Sequence, residues 1–271
     1  MIKIAPSILA ANLLKIEQEV TNVVEAGADY LHIDIMDGHY VSNITFGSNI
    51  VKSIRSITNI TLDVHLMIAP VKQYVENFVK AGADIISFHP EADSNPETVI
   101  ETIKRLNCKC GIAIHPMVTI KDIEKYIHLI DLIIVMTVVP GFGGQNFMEN
   151  QLTKISKLNE LRVKEGLEFE IEIDGGINNK TSRLCIDKGA DVLVAGSYIY
   201  DSPESDYKKL IKSLRYMDWK KLNISINLWL NLVILYMYRK HIWGILKNTE
   251  AEEKEALNTE EIKNVKKRNN F

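Results

Sequence analysis

The sequence predicts an α/β chain folded as a (β/α)₈ TIM barrel and followed by an extension foreign to that pattern. Three observations predict it. Between residues 4 and about 215, short β-branched apolar runs alternate with amphipathic helical stretches, a rhythm that calls for parallel strands joined by helices. Ala-Gly-Ala-Asp stands at 26–29 and again at 81–84, and Gly-Ala-Asp returns at 189–191, each time where glycine can end a helix in the left-handed conformation. Eight such units fit roughly 210 residues, near the lower limit of about 200 for this fold. A doubly wound sheet is the runner-up, but its G-x-G-x-x-G turn is missing after the first strand, where Pro6-Ser7-Ile8-Leu9-Ala10 stands.

Taken in order, the strands are expected at 4–9, 30–36, 61–67, 85–89, 109–115, 132–137, 170–174 and 192–196. The first opens on Ile4, and the second, third and seventh alternate apolar with polar residues. The fourth, fifth, sixth and eighth are mostly apolar runs. Seven helical stretches separate the strands and an eighth follows the last, giving a catalytic-barrel domain at 1–215 and a C-terminal extension at 216–271. In that extension, 222–238 is strongly apolar but carries Asn227 and Asn231, and its 17 residues are short for a bilayer span of roughly 20. A docked or interfacial helix is therefore expected over a spanning one, and membrane association of the tail is the less favoured reading. From Lys247 onward the charged sequence reads as a solvated or disordered tail.

Composition narrows the function. Of 271 residues 46% are hydrophobic, enough for a full core, and the net charge of −3 gives no support for nucleic-acid binding. Cys108, Cys110 and Cys185 form no C-x-x-C pair and follow no secretory leader, so a reducing cytoplasm is the expected location. Cys108 and Cys110 read as buried core thiols rather than metal ligands.

In a barrel the functional side chains come from the carboxyl ends of strands and the loops after them. Alternation puts His32, Asp34 and Met36 on one face of the second strand, and Asp63, His65 and Met67 on one face of the third. Asp174 ends the seventh. Two imidazoles and two carboxylates converging at one mouth, His32, Asp34, His65 and Asp174, suit a divalent ion such as zinc, iron, manganese or cobalt; any one of them alone would more often cap a helix or a loop. His39, His89 and His115 also lie near strand ends and keep a substrate-facing or hydrogen-bonding reading. Glycines cluster in three loops on the same face: Gly141, Gly143 and Gly144 around Phe142, then Gly175-Gly176, then Gly196-Ser197. Each loop alone would be an ordinary turn, but together they predict backbone N–H groups turned toward a phosphate.

These blocks together resemble the ribulose-phosphate 3-epimerase family. The resemblance rests on Ala5-Pro6-Ser7-Ile8-Leu9, the 32–38 block, Asp63-Val64-His65-Leu66-Met67, Phe88-His89-Pro90-Glu91-Ala92, the 140–145 loop, Glu172-Ile173-Asp174-Gly175-Gly176 and Ala195-Gly196-Ser197, covering residues 4 to about 215. It implies interconversion of ribulose 5-phosphate and xylulose 5-phosphate in the pentose phosphate pathway, with one divalent metal per subunit and no organic cofactor. Asp34 and Asp174 would be ligands and also the acid/base pair, working through a 2,3-enediolate. Ser7 and His65 would contact substrate, and Met36, Met67 and Met136 would cap the intermediate against water. Homo-oligomers are implied as well. Val139 before Pro140, and His115 before Pro116, depart from the family pattern and point to substrate tuning at most.

Three rivals remain. Allulose-6-phosphate 3-epimerase shares the metal site, and 165–170 and 135–138 resemble it. Orotidine-phosphate decarboxylase needs an Asp-x-Lys-x-x-Asp array, and neither the 32–38 nor the 62–67 block holds a lysine. A non-catalytic, membrane-tethered or partner-binding barrel would not require the complete ligand set.

Overall fold

The computed structural model describes residues 1–202 and 206–215; the apolar segment and tail expected at 216–271 lie outside them. Eight parallel strands form one sheet in the order β1-β8-β7-β6-β5-β4-β3-β2. They are β1 (Lys3–Pro6), β2 (Tyr30–Met36), β3 (Thr61–Met67), β4 (Ile85–Phe88), β5 (Lys109–Ile114), β6 (Leu132–Met136), β7 (Glu170–Asp174) and β8 (Val192–Ala195). A single parallel bridge, Ser7 to His32, links the remaining seam between β1 and β2, so the sheet curls into a nearly closed barrel. The sequence reading carries the first strand to residue 9, and the structure ends it at Pro6. There the Ser7 hydroxyl accepts the Leu9 N–H at 3.3 Å and turns the chain into a short 3₁₀ helix, Ile8–Ala10.

Helices α1 (Ile16–Glu25), α2 (Ser48–Arg55), α3 (Lys72–Ala81), α4 (Pro96–Arg105), α5 (Ile120–Ile123), α6 (Leu152–Glu165) and α7 (Thr181–Asp187) fill the seven crossovers, with 3₁₀ turns beside several of them. In place of one eighth helix the structure has two, a one-turn α8 (Ser197–Tyr200) and then α9 (Tyr207–Leu214). Gly27, Gly82 and Gly189 all have positive φ, as the repeated Gly-Ala-Asp joint requires. Among the described residues no helix is long and apolar enough to cross a membrane.

Alternation along the strands divides the core in two. Leu31, Ile33, Leu62, Val64, Ile112, Ile133, Ile171 and Leu193 face outward into one apolar layer with the helices. Ala5, Tyr30, Ile85, Ala113, Leu132, Ile134, Val192 and Val194 form a separate cluster inside the barrel. Inward positions on β2, β3 and β7 break that apolar filling with His32, Asp34, Asp63, His65 and Glu172, all buried. Burying so many ionisable groups opposes folding unless they pair or hold an ion, which marks this sector as the place to look for function.

The amino end of the barrel is built differently. The aspartate before each even strand (Asp29, Asp84, Asp131, Asp191) accepts the N–H of the second residue of the preceding odd strand, at 2.7 Å for Ile4 and 2.8 Å for Leu62, Cys110 and Ile171. Its own N–H returns a bond to the carbonyl of that same residue. A basic side chain from the helix side completes each clamp: Arg215 on Asp29, Arg55 on Asp84, Lys104 on Asp131 and Arg162 on Asp191. Every clamp carboxylate thus has both a backbone donor and a cation.

Candidate active site

Register places the site. Side by side on β2 and β3 lie His32 and Asp63, then Asp34 and His65, then Met36 and Met67, three successive inward layers rising toward the carboxyl end. From across the barrel β7 adds Glu172 and Asp174. Thr137, just past β6, fixes the end of β7, its hydroxyl donating to the carbonyls of Asp174 at 3.0 Å and Gly175 at 2.6 Å. On the other side Ser7 Oγ donates to Asp34 Oδ2 at 2.6 Å, and the Thr45 hydroxyl donates to the Asp34 carbonyl at 2.6 Å. Both aspartates are therefore held from outside the cluster.

One donor atom from each of His32, Asp34, His65 and Asp174 lies within 4.8 Å of all the others. Asp34 Oδ1 is 3.4 Å from His32 Nε2 and 3.4 Å from His65 Nδ1; Asp174 Oδ2 is 3.9 Å and 3.7 Å from the same two nitrogens. Donors held about 2.0–2.2 Å from one tetrahedral ion lie about 3.3–3.6 Å apart, so the set fits a first-row divalent cation with little adjustment. His32 Nε2 and His65 Nδ1 are buried and have no hydrogen-bond partner. An orphaned buried ring nitrogen is costly in a satisfied core and expected of a metal ligand. The far nitrogens are engaged: His32 Nδ1 meets Asp63 Oδ2 at 2.6 Å, and His65 Nε2 meets His89 Nε2 at 3.0 Å.

Charge splits the two aspartates. Burial raises the pKa of each, but for Asp34 the imidazoles of His32 and His65 overcome burial and hold the carboxyl well below its usual range. Asp174, desolvated and facing the Asp34 charge, is pushed up to about 6. The surroundings thus displace the two neighbouring carboxyls in opposite directions. Burial lowers the His32 pKa, yet the Asp34 and Asp63 carboxylates more than offset it. Surplus negative charge of this kind favours a cation as it favours a proton.

Above the cluster lies a cavity of about 350 Å³. Its walls include Ser7, Asp34, Asp174, the three methionines Met36, Met67 and Met136, and the residues of the three glycine loops: Gly141, Phe142, Gly143, Gly144, Gly175, Gly176, Gly196 and Ser197. Among the described residues no lysine or arginine lines it, leaving backbone N–H groups and hydroxyls as the donors for an anion. Gly176 is required there: its φ is +65° and an added Cβ would stand 2.7 Å from the Phe147 nitrogen. Met36 and Met67 pack together with Val41, while Met136 belongs to the apolar cluster inside the barrel. His32 and His65 sit behind the carboxylates and do not line the cavity. His39 is exposed, and His115 Nδ1 accepts the Met117 N–H at 3.1 Å. Sequence reasoning gave no role to Asp63, Glu172, Thr137 or Glu91. Asp63 and Glu172 were legible as inward-facing acids, each two residues before a named ligand on its own strand; burial and the Asp63 charge raise the Glu172 pKa well above the ordinary range.

The model of the family described as "Ribulose-phosphate 3 epimerase family" matches residues 3–200. The chain belongs to the ribulose-phosphate 3-epimerase family. Among members of this epimerase family, ribulose-phosphate 3-epimerase of Bacillus subtilis is 44% identical over 216 residues, covering 79% of this chain and 99% of that one. The chloroplastic ribulose-5-phosphate-3-epimerase of Arabidopsis thaliana is 41% identical over 214 residues, 78% of this chain and 75% of that one. Beyond the epimerases, the crystal structure of 3-keto-L-gulonate-6-phosphate decarboxylase from Vibrio cholerae superposes with a TM-score of 0.60 at 18% identity, covering 79% of this chain and 95% of the other, a likeness of fold alone.

Proposed function

We propose that the chain interconverts D-ribulose 5-phosphate and D-xylulose 5-phosphate by moving a proton at C3. The observation that carries this reading is the meeting of Asp34 and Asp174, from β2 and β7, in one four-donor cluster at the floor of a cavity. Epimerisation inverts a carbon through a planar 2,3-enediolate, so a proton must leave one face and another arrive at the opposite face. Two carboxyls on different strands, β2 and β7, supply those faces. Ser7 holds Asp34 in line by its 2.6 Å bond. Glycine-flanked amides of the 141–144, 175–176 and 196–197 loops grip the phosphate away from C3 and so orient the sugar. Met36, Met67 and Met136 form an apolar wall that keeps water from the flattened carbon skeleton.

His32, Asp34, His65 and Asp174 would hold one zinc, iron, manganese or cobalt ion. Such an ion supplies charge neutralisation for the developing enediolate oxygens, an effect of several kcal/mol. Family membership and the relatives' names favour the pentulose over allulose 6-phosphate. Metal analysis of chain purified without chelator, followed by C3 hydrogen exchange in heavy water, tests the proposal. One equivalent of divalent ion and exchange on ribulose 5-phosphate that stops on chelation are expected. A strong preference for allulose 6-phosphate would overturn the substrate, and full exchange after chelation would overturn the metal role.

A further inference from the structure

We propose that His89 and Glu91 form a positioning relay that fixes the tautomer and ring orientation of His65 as a ligand to the divalent ion. The inference rests on the metal reading above and extends it to residues outside the donor set. A ligating imidazole nitrogen carries no proton, so with His65 Nδ1 in the cluster its Nε2 carries one. That Nε2 lies 3.0 Å from His89 Nε2, which must then accept. The His89 proton consequently sits on Nδ1, a buried atom with no hydrogen-bond partner, which faces Glu91 Oε1 at 3.6 Å. Glu91 is an acceptor at both oxygens, and Oε1 also takes the Tyr40 hydroxyl at 2.9 Å, which tethers it to the loop after β2. The His89 ring is held between those of His65 and Tyr40, with centroids 5.1 and 4.7 Å away, so it has little freedom to turn.

His32 shows the same logic in a shorter form, its far nitrogen resting directly on Asp63. Each ligand imidazole is thus backed by a carboxylate, one immediate and deeply buried, the other reached through a second imidazole and partly exposed at the rim of the mouth. Groups behind metal-bound histidines typically contribute about 10–100-fold in metal affinity.

The test measures Co²⁺ dissociation constants of the full chain by chelator competition, together with the visible spectrum of bound Co²⁺ and the melting temperature. His89→Phe keeps a ring but no acceptor, and Glu91→Leu removes the terminal acceptor at a partly exposed position. Both are expected to weaken Co²⁺ binding by about 10–100-fold and to shift the spectrum. His89→Gln and Glu91→Gln retain a carbonyl acceptor and should recover most of the affinity. Wild-type affinity and spectrum in His89→Phe and Glu91→Leu would overturn the relay. So would losses that follow the melting temperature alone without rescue by the glutamine variants. If the unsubstituted chain fails to bind Co²⁺, the metal reading itself falls and takes the relay with it.

Discussion

At the amino end of the barrel, Asp29, Asp84, Asp131 and Asp191 each meet a backbone N–H and a basic side chain, whereas at the carboxyl end Asp34 and Asp174 meet two imidazoles and each other. The residue type is the same, set just before a strand at one end and inside or at the close of a strand at the other. What differs is satisfaction. Each clamp carboxylate is neutralised by a neighbour that belongs to the fold, and its removal should be felt as stability. The upper carboxylates are crowded together with orphaned nitrogens beside them, an arrangement that costs stability and makes sense only with a ligand in view. Substitution of an aspartate at the top should therefore cost catalysis, and at the bottom melting temperature.

The largest effect is expected from Asp174→Asn. An amide keeps the size of the group but can neither give nor take the proton, so kcat should fall by about 10³–10⁴-fold. Because the native carboxyl is desolvated against the Asp34 charge, the metal-free variant should melt no lower than the metal-free parent. A melting temperature that drops with little change in kcat would reverse the assignment of the two ends. Next comes Gly176→Ala, which tests the phosphate loops. A methyl 2.7 Å from the Phe147 nitrogen, on a residue at φ +65°, forces the loop to move. Displacement of that order should lower kcat/KM by about 10²-fold, and an unchanged value would exclude this loop from substrate binding.

At the other end, Asp191→Ala strands the Ile171 N–H and leaves Arg162 without its carboxylate. Loss of one satisfied, partly buried carboxylate should cost about 2 kcal/mol, or roughly 4–8 °C of melting temperature, with kcat unchanged. A fall in kcat comparable to that of Asp174→Asn would erase the distinction between the ends.

How much of this was legible follows from geometry. The period of two along β2, β3 and β7 forces His32 with Asp34, Asp63 with His65, and Glu172 with Asp174 onto common faces, so the cluster could be read before any fold was seen. The glycine loops that line the cavity were legible because all three follow neighbouring strands at the same end of the barrel. Less local features were hidden. Ser7 ends β1 early by capping its own turn, and its bond to Asp34 depends on closure of the β1–β2 seam. The role of His89 depends on how β4 lies against β3, which no alternation encodes. In the Gly-Ala-Asp repeat the glycine's task was readable and the aspartate's was not, since its partner is an N–H one strand earlier. The fourth clamp was fully masked: Asp131 follows Ile130 and belongs to no repeat.

That fourth clamp allows the finest test, because nature varied one part of it. Arg55 and Arg162 each donate to their aspartate and also to the carbonyl of the residue before the odd strand, Ile60 or Phe169. Lys104 occupies the equivalent position, reaches Asp131 Oδ1 at 3.1 Å, and makes no second contact of this kind among the described residues. By the same geometry, an arginine there would find the Cys108 carbonyl ahead of β5. A forked guanidinium can hold both acceptors at once where a single ammonium on a flexible stem holds one. Lys104→Arg should therefore raise the melting temperature by about 1–3 °C, corresponding to roughly 0.5–1 kcal/mol for one added hydrogen bond, and leave kcat and KM where they were. No gain, or a loss, would mean that the four clamps resemble one another in position but not in the energy they contribute. The amino end would then rest on its backbone bonds alone.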